Sequence, residues 1–252
     1  MTVHTETRGG VLIVTIDRPE VKNAIDTATA QAIADAMDRL DGTAELTAGV
    51  LTGAGGTFCT GMDLKAFLAG ERPSIEDRGF AGIAQTPPAK PMIAAVEGHA
   101  IAGGFEIVLA CDLVVASETA VFGLPEVKRG LLAGGGGLLR LPERVPYALG
   151  LEWALTGDFI NAEQAREAGL ISRLTPKGDA LTVAIELAER IAKNGPLAVR
   201  GTKQIWTASR DWSNAERFDK MWEIYEPIRS SDDAKEGATA FREKRTPVWK
   251  GR

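Results

Sequence analysis

Short apolar runs broken by glycine and proline fill the chain as far as Pro176, and helical periodicity takes over beyond it. Val11-Leu12-Ile13-Val14-Thr15-Ile16-Asp17 reads as a strand, and Arg18-Pro19-Glu20-Val21-Lys22-Asn23-Ala24 as the turn that ends it. From Thr27 to Leu40 the apolar positions Ala30, Ile33, Ala34, Met37 and Leu40 share one helical face, closed by Gly42. Further strands are predicted at Ala48 to Thr52, Met92 to Val96 and Leu113 to Ala116, with helices or loops between them. That alternation is α/β with parallel pairing. After Pro176 the segments Ala180 to Lys193, Pro196 to Ala208, Ala215 to Arg229 and Asp232 to Arg245 all read as helices with no strand between them. Gly195 ends one helix and Pro196 suits the first turn of the next, so the chain divides into a core, 1–195, and a helical section, 196–252. Trp206, Trp212, Trp222 and Trp249 fall in that section, where they serve helix packing or an oligomer interface.

With 252 residues, 44% of them hydrophobic, the chain can bury one large core. No apolar run approaches the roughly 18 residues that span a bilayer. The start, Met1-Thr2-Val3-His4-Thr5-Glu6-Thr7-Arg8, lacks the apolar core of a signal peptide, so the cytoplasm is the expected compartment and His4 is placed in a frayed terminus. Cys59 and Cys111 show neither CxxC nor metal-ligand spacing, which predicts buried thiols and no metal site. A net charge of −5 weighs against nucleic-acid binding. Gly53-Ala54-Gly55-Gly56-Thr57-Phe58 lacks the last glycine of GxGxxG, and Gly134-Gly135-Gly136-Gly137 lacks the lysine of a P-loop. There is no GxSxG, and neither His4 nor His99 begins HExxH.

The remaining chemistry lies with two glutamates on glycine-rich turns, Glu106 and Glu126, the minimal equipment for moving a proton and a water together. Each alone would pass for an ordinary acid, Glu106 in a helix's first turn and Glu126 on the surface after Pro125. Around them are two breaks whose backbone amides can be left unpaired. One is Gly53-Ala54-Gly55-Gly56-Thr57-Phe58-Cys59-Thr60-Gly61-Met62-Asp63-Leu64, where the strand Ala48 to Thr52 gives way to glycines and then to the short helix Asp63 to Leu68. The other is Ala102-Gly103-Gly104, which opens a helix toward Cys111. Two such loops can present donors to a single oxygen. His99 is read as a strand-end side chain near the cleft. The Gly134 to Gly137 run is either a flexible loop or a helix N-terminus facing that cleft.

Taken together, these segments resemble the enoyl-CoA hydratase/isomerase family, the crotonases, over nearly the whole chain. Asp17-Arg18-Pro19-Glu20-Val21-Lys22-Asn23-Ala24-Ile25 resembles the opening signature, where the backbone meets coenzyme A. Phe58-Cys59-Thr60-Gly61-Met62-Asp63-Leu64 and Glu97-Gly98-His99-Ala100-Ile101-Ala102-Gly103-Gly104-Phe105-Glu106 resemble the two oxyanion loops. The resemblance implies a spiral of strand-strand-helix repeats followed by an all-helical section for self-association, as a trimer or a dimer of trimers. It implies that the Met62 and Gly103 amides hold a thioester oxygen, methionine standing where the family usually has alanine. Glu106 and Glu126 become the acid and base of a hydratase of fatty acid metabolism that adds water to a 2-enoyl-CoA. Lys22, Asn23, Ala24, Thr60, Asp63, Leu64, Lys65, Phe241 and Lys244 are the implied coenzyme contacts, the last two reached in some members from a neighbouring subunit. No separate cofactor is implied, since coenzyme A is part of the substrate. An enoyl-CoA isomerase needs only one of the two acids. Dehydration is the same chemistry reversed; Gly136-Gly137-Leu138-Leu139-Arg140-Leu141-Pro142 and Pro247-Val248-Trp249-Lys250-Gly251-Arg252 are similar to the branch that includes carnitinyl-CoA dehydratases. The reading from another class is a non-catalytic acyl-CoA-binding protein.

Overall fold

A computed structural model of the chain describes residues 2–252. A hairpin, β1 (Val3–Arg8) and β2 (Val11–Ile16), opens a six-stranded sheet; β3 (Ala48–Gly53) lies parallel to β2. Past the small hairpin β4 (Ser74–Ile75) and β5 (Gly79–Phe80), the sheet resumes with β6 (Met92–Val96). A short strand, β7 (His99–Ile101), precedes β8 (Leu113–Ser117), which pairs with β6, and another, β9 (Val121–Gly123), follows it. β10 (Ile160–Asn161) joins β9 and β7 in a three-stranded sheet, and β11 (Arg173–Thr175) closes the large one, whose order is β1-β2-β3-β6-β8-β11. All its pairings but the first are parallel.

Parallel strands need cover on both faces, which is why their sequences are unbroken apolar runs. On one face Val11, Ile13, Val50, Ile93 and Val115 meet Ala184, Ile185 and Ala188 of α7 (Ala180–Ala192). On the other, Leu12, Val14, Leu51 and Val96 pack with Met37 of α1 (Thr27–Gly42) and with Phe105 and Ile107 further along the chain. α1 is started by Asp26, whose side chain accepts the Thr29 amide, and it runs through Gly42 instead of stopping before it.

The spiral is visible as a repeat. A long strand, a short strand and a helix follow one another as β6, β7 and α3 (Gly103–Ala110). They do so again as β8, β9 and, past a 3₁₀ turn at Pro125–Arg129, α4 (Gly137–Arg144). Each turn of the spiral thus carries a loop from the edge of the sheet into the start of a helix. The first of these loops bears Gly103, and the 3₁₀ turn of the second bears Glu126. α2 (Leu64–Leu68), α5 (Tyr147–Thr156) and α6 (Ala162–Glu167) complete the core.

Beyond Pro196 come α8 (Pro196–Ala208), α9 (Arg217–Arg229) and α10 (Asp232–Glu243). The section is fastened at its base by Trp249, which donates from Nε1 to Lys193 O at 2.8 Å and lies against Gly195 and Gly237. Lys203 of α8 fastens it again, donating to Pro88 O, Lys90 O and Asp112 Oδ2.

One expectation is corrected here. His4 is not in a frayed terminus: it lies in β1 opposite Thr15, with Nε2 2.8 Å from the Asp17 carboxylate. Only Val3 of β1 faces the core. An edge strand with one buried residue has no alternation to betray it, and its order comes from main-chain pairing with β2. Cys59 and Cys111 are buried free thiols, both pushed up to about 12 by burial.

Candidate active site

Two loops meet at the mouth of the cleft, and their hydrogen bonding leaves the Met62 amide on one and the Gly103 amide on the other free. Asn23 fixes the first loop. Lys22 and Asn23 both take left-handed φ, 54° and 57°, which buries the Asn23 side chain completely. Its Oδ1 accepts the Arg18 amide at 2.8 Å and its Nδ2 donates to Ala54 O and Thr57 O at 2.9 and 2.6 Å. The turn after β2 is thereby stitched to the loop after β3. Ile25 then bridges to Met62: Ile25 donates to Gly61 O and accepts from the Asp63 amide, both at 2.8 Å. In such a bridge the intervening amide, that of Met62, points away from the partner strand.

The second loop repeats the pattern. Ile101 donates to Cys59 O and Ala102 to Gly123 O. Ala102 takes φ 52°, ψ −130°, a backbone conformation costly for any residue with a Cβ. That reversal starts α3 at Gly103 with its amide unpaired at a positive dipole end. A methyl group added at Gly61 would lie 3.0 Å from Gly103 N, so the two loops are in contact. Among the described residues neither the Met62 nor the Gly103 amide has an acceptor. Two unpaired donors on loops in contact are what an oxyanion site requires.

Glu106, one turn into α3, is only 4% exposed. Its Oε1 accepts the amide of Gly137, the first residue of α4, at 2.9 Å. A side chain at Gly135 would come within 2.7 Å of Glu106 Oε2, and one at Gly137 within 3.0 Å of its Cγ. Gly136, at φ 98°, makes the turn between them. The four-glycine run is therefore a helix N-terminus facing the cleft, and three of its members are glycine because of the carboxyl they surround or the turn they make. Burial pushes the Glu106 carboxyl above its ordinary range, opposed by the Gly137 and Gly135 amides and by Arg140.

Glu126 sits on the 3₁₀ turn, half-buried, with Oε2 buried and without a hydrogen-bond partner. It too is held above the usual carboxylate range, by burial first and by the charge of Glu106, against its own backbone amide and Arg129. The charge of Glu106 thus reaches Glu126 across the cleft. Met62, Gly103, Glu106 and Glu126 all line one open cleft of about 2400 Å³, which extends from the loop at Thr60 to α8.

Of the other residues singled out from the sequence, Thr60 and Leu64 line this cleft. Lys22 and Lys65 are exposed beside it, and Ala24 is buried. The side chains of Asn23 and Asp63 are engaged in the framework: Asp63 caps α2 and pairs with Arg18 at 3.0 Å. Phe241, 88% exposed, and Lys244 lie at the end of α10, away from this chain's own cleft. His99 is half-buried in β7 and does not reach the cleft. Sequence reasoning passed over Phe80, whose ring rests against Gly103. A lone phenylalanine in a two-residue strand carries no periodic signal, and only the glycine opposite it hints at a ring in that space.

The family model described as enoyl-CoA hydratase/isomerase matches residues 6–252. The chain is similar to a carnitinyl-CoA dehydratase of Proteus mirabilis, with 40% identity over 100% of this chain and 99% of the relative. It is likewise similar to the enoyl-CoA hydratase EchA19 of Mycobacterium tuberculosis, with 43% identity over 98% and 96%. Among solved structures, an enoyl-CoA hydratase from M. tuberculosis H37Rv superposes with a TM-score of 0.98 at 56% identity, covering 100% of this chain and 99% of that one. A carnitinyl-CoA hydratase from Mycobacterium avium gives 0.80 at 43%, with the same coverage.

Proposed function

The chain belongs to the enoyl-CoA hydratase/isomerase family, and from that premise we propose that it is a hydro-lyase that adds water across the 2,3 double bond of a 2-enoyl-CoA thioester. The observation that carries this reading is the presence of two partly desolvated glutamates in the same cleft as the free amides of Met62 and Gly103. As water adds, charge develops on the thioester oxygen. The Met62 and Gly103 amides, already aimed and unpaired, receive it without having to reorganise, and losing one such donor costs about 10²–10³ in rate elsewhere. Glu106 and Glu126 flank the attacking water: one accepts its proton as the oxygen bonds to C3, and the other delivers a proton to C2. The pair suits this because burial raises both carboxyls and the charge of Glu106 raises Glu126 further, which brings them toward the range in which a carboxyl can both give and take a proton.

Coenzyme A enters on the side of Thr60 and Leu64, with Lys22 and Lys65 placed for its phosphates, and Phe241 and Lys244 reach it from a neighbouring subunit. Exposed Trp206, Phe218 and Trp222 on α8 and α9 support self-association, as a trimer or a dimer of trimers. No separate cofactor enters the chemistry. The compartment is the cytoplasm and the process fatty acid metabolism; no helix among the described residues is long and apolar enough to cross a membrane. The second reading, dehydration of a carnitinyl-type thioester, uses the same groups in reverse and is favoured by the Proteus relative.

The test is absorbance-monitored hydration of crotonyl-CoA by the purified protein beside Glu106→Gln and Glu126→Gln. Loss of the enone band with wild type, reduced at least about 10²-fold in each variant, supports the assignment. A wild-type protein that binds crotonyl-CoA without consuming it while releasing water from a carnitinyl thioester establishes the second reading instead.

A further inference from the structure

Phe80 touches both halves of the site. A methyl group at Gly103, the oxyanion donor, would lie 2.5 and 2.6 Å from Cε1 and Cζ of its ring, and one at Gly135, beside the Glu106 carboxyl, would lie 3.3 Å from its Cβ. At Gly103 the absence of a side chain is what leaves the ring its place. The backbone that carries the ring is also held firmly. Phe80 O accepts from Ile83 and Ala84, the next residue Ala81 donates to Pro73 O, and Ala81 and Ile83 are fully buried. Yet Phe80 itself is only half-buried and lines the cleft, so one side of the ring is offered to whatever binds there.

Resting on the hydratase reading above, we propose that Phe80 is the specificity-determining residue that excludes a substituent on the carbon next to the thioester, restricting the site to 2-enoyl chains unbranched at C2. The oxygen is fixed at the Met62 and Gly103 amides and the reacting carbons lie toward Glu106, so the acyl atoms C1 and C2 run along the line from Gly103 to Gly135. Phe80 flanks that same line, its ring against Gly103 and its Cβ toward Gly135. A methyl group on C2 directed at the ring would meet it, because the ring already fills the space against Gly103. A single methyl in a fitted pocket discriminates by roughly 10–200-fold.

The experiment compares kcat/KM for 2-methylcrotonyl-CoA with that for crotonyl-CoA in wild type, Phe80→Leu and Phe80→Ala, so that intrinsic reactivity cancels in the ratio. The expected result is a ratio at least about tenfold higher in Phe80→Ala than in wild type, with Phe80→Leu between them. Calorimetric binding of 2-methylbutanoyl-CoA against butanoyl-CoA gives the same comparison without turnover. A wild type that hydrates neither substrate removes the hydratase reading, and the binding ratio then decides the role of Phe80 by itself. Ratios unchanged within about twofold across the three proteins, in the assay that reads them, overturn the proposal. Should Phe80→Ala fail to fold, Phe80→Leu alone must still raise the ratio.

Discussion

Gly137 donates its amide to Glu106 Oε1 at 2.9 Å, so α4 begins on the carboxyl that it positions. Gly135 stands against the other oxygen. An alanine there would place its Cβ 2.7 Å from Glu106 Oε2, and Gly135 is not in the left-handed region, so its own backbone tolerates the change. The group that gives way is the end of a flexible side chain, which moves at little cost. Gly135→Ala is therefore expected to leave the melting temperature within a few degrees of wild type and to lower kcat for crotonyl-CoA hydration at least about tenfold, since misplacement by about 1 Å costs up to about 10². An unchanged kcat would mean that the position of Glu106 is not critical.

Glu126 gives the pH dependence of stability its sign. Its carboxyl in the folded chain titrates above the unfolded value, because burial and Glu106 both disfavour the charge. Between those two values the native state binds more protons than the unfolded one, so stability falls as pH rises through that window. Glutamine carries no charge and escapes this loss. Glu126→Gln is thus expected to melt higher than wild type at pH 7 to 8, and the difference should vanish below the ordinary carboxylate range. Thermal melts across pH check this; a variant less stable than wild type at neutral pH would show that the carboxylate is satisfied by a partner in solution.

The parallel strands and α1 were legible in the sequence because burial on defined faces leaves a period, and the four late helices were legible for the same reason. Proximity leaves no such trace. Asn23 stands in a polar turn that looks solvated, yet it is fully buried because three main-chain groups from two loops need its amide. The Gly134 to Gly137 run was equally consistent with a loop until Glu106 was placed against it. β1 escaped notice because an edge strand with one inward residue has no pattern. Phe80 escaped because its importance lies in the two glycines opposite, one of them 55 residues away in the chain.

The Asn23 arrangement carries its own prediction. Replacing it with alanine strands the Arg18 amide and the carbonyls of Ala54 and Thr57, and leaves a β-carbon residue in the left-handed region without the side-chain bonds that held it there. Unsatisfied buried groups cost about 1–3 kcal/mol each, with partial relief from water, so Asn23→Ala is expected to lose about 2–4 kcal/mol in chemical denaturation. A loss under about 1 kcal/mol would indicate that water replaces the amide.

Lys203 tests how the helical section holds its place over the cleft. Its side chain, 13% exposed, satisfies Pro88 O and Lys90 O and pairs with Asp112 Oδ2 at 2.6 Å. Asp112 Oδ2 also accepts the Met92 amide at 2.7 Å, which ties the strut to the first residue of β6. Lys203→Met keeps the apolar stem but leaves the Asp112 carboxylate without its cation. Such an uncompensated charge costs about 3 kcal/mol or more where it is buried and less here, where Asp112 is one quarter exposed. The same substitution frees α8 beyond its base, which Trp249 still anchors at Lys193 and Gly195, so faster protease cleavage at its far end, near Ala208 to Trp212, should accompany the loss. Lys203→Met combined with Asp112→Asn removes the stranded charge and keeps an acceptor for the Met92 amide. The double variant should therefore be more stable than Lys203→Met alone while remaining as sensitive to protease. If stability and protease resistance return together, the charge rather than the strut was what held the helix down.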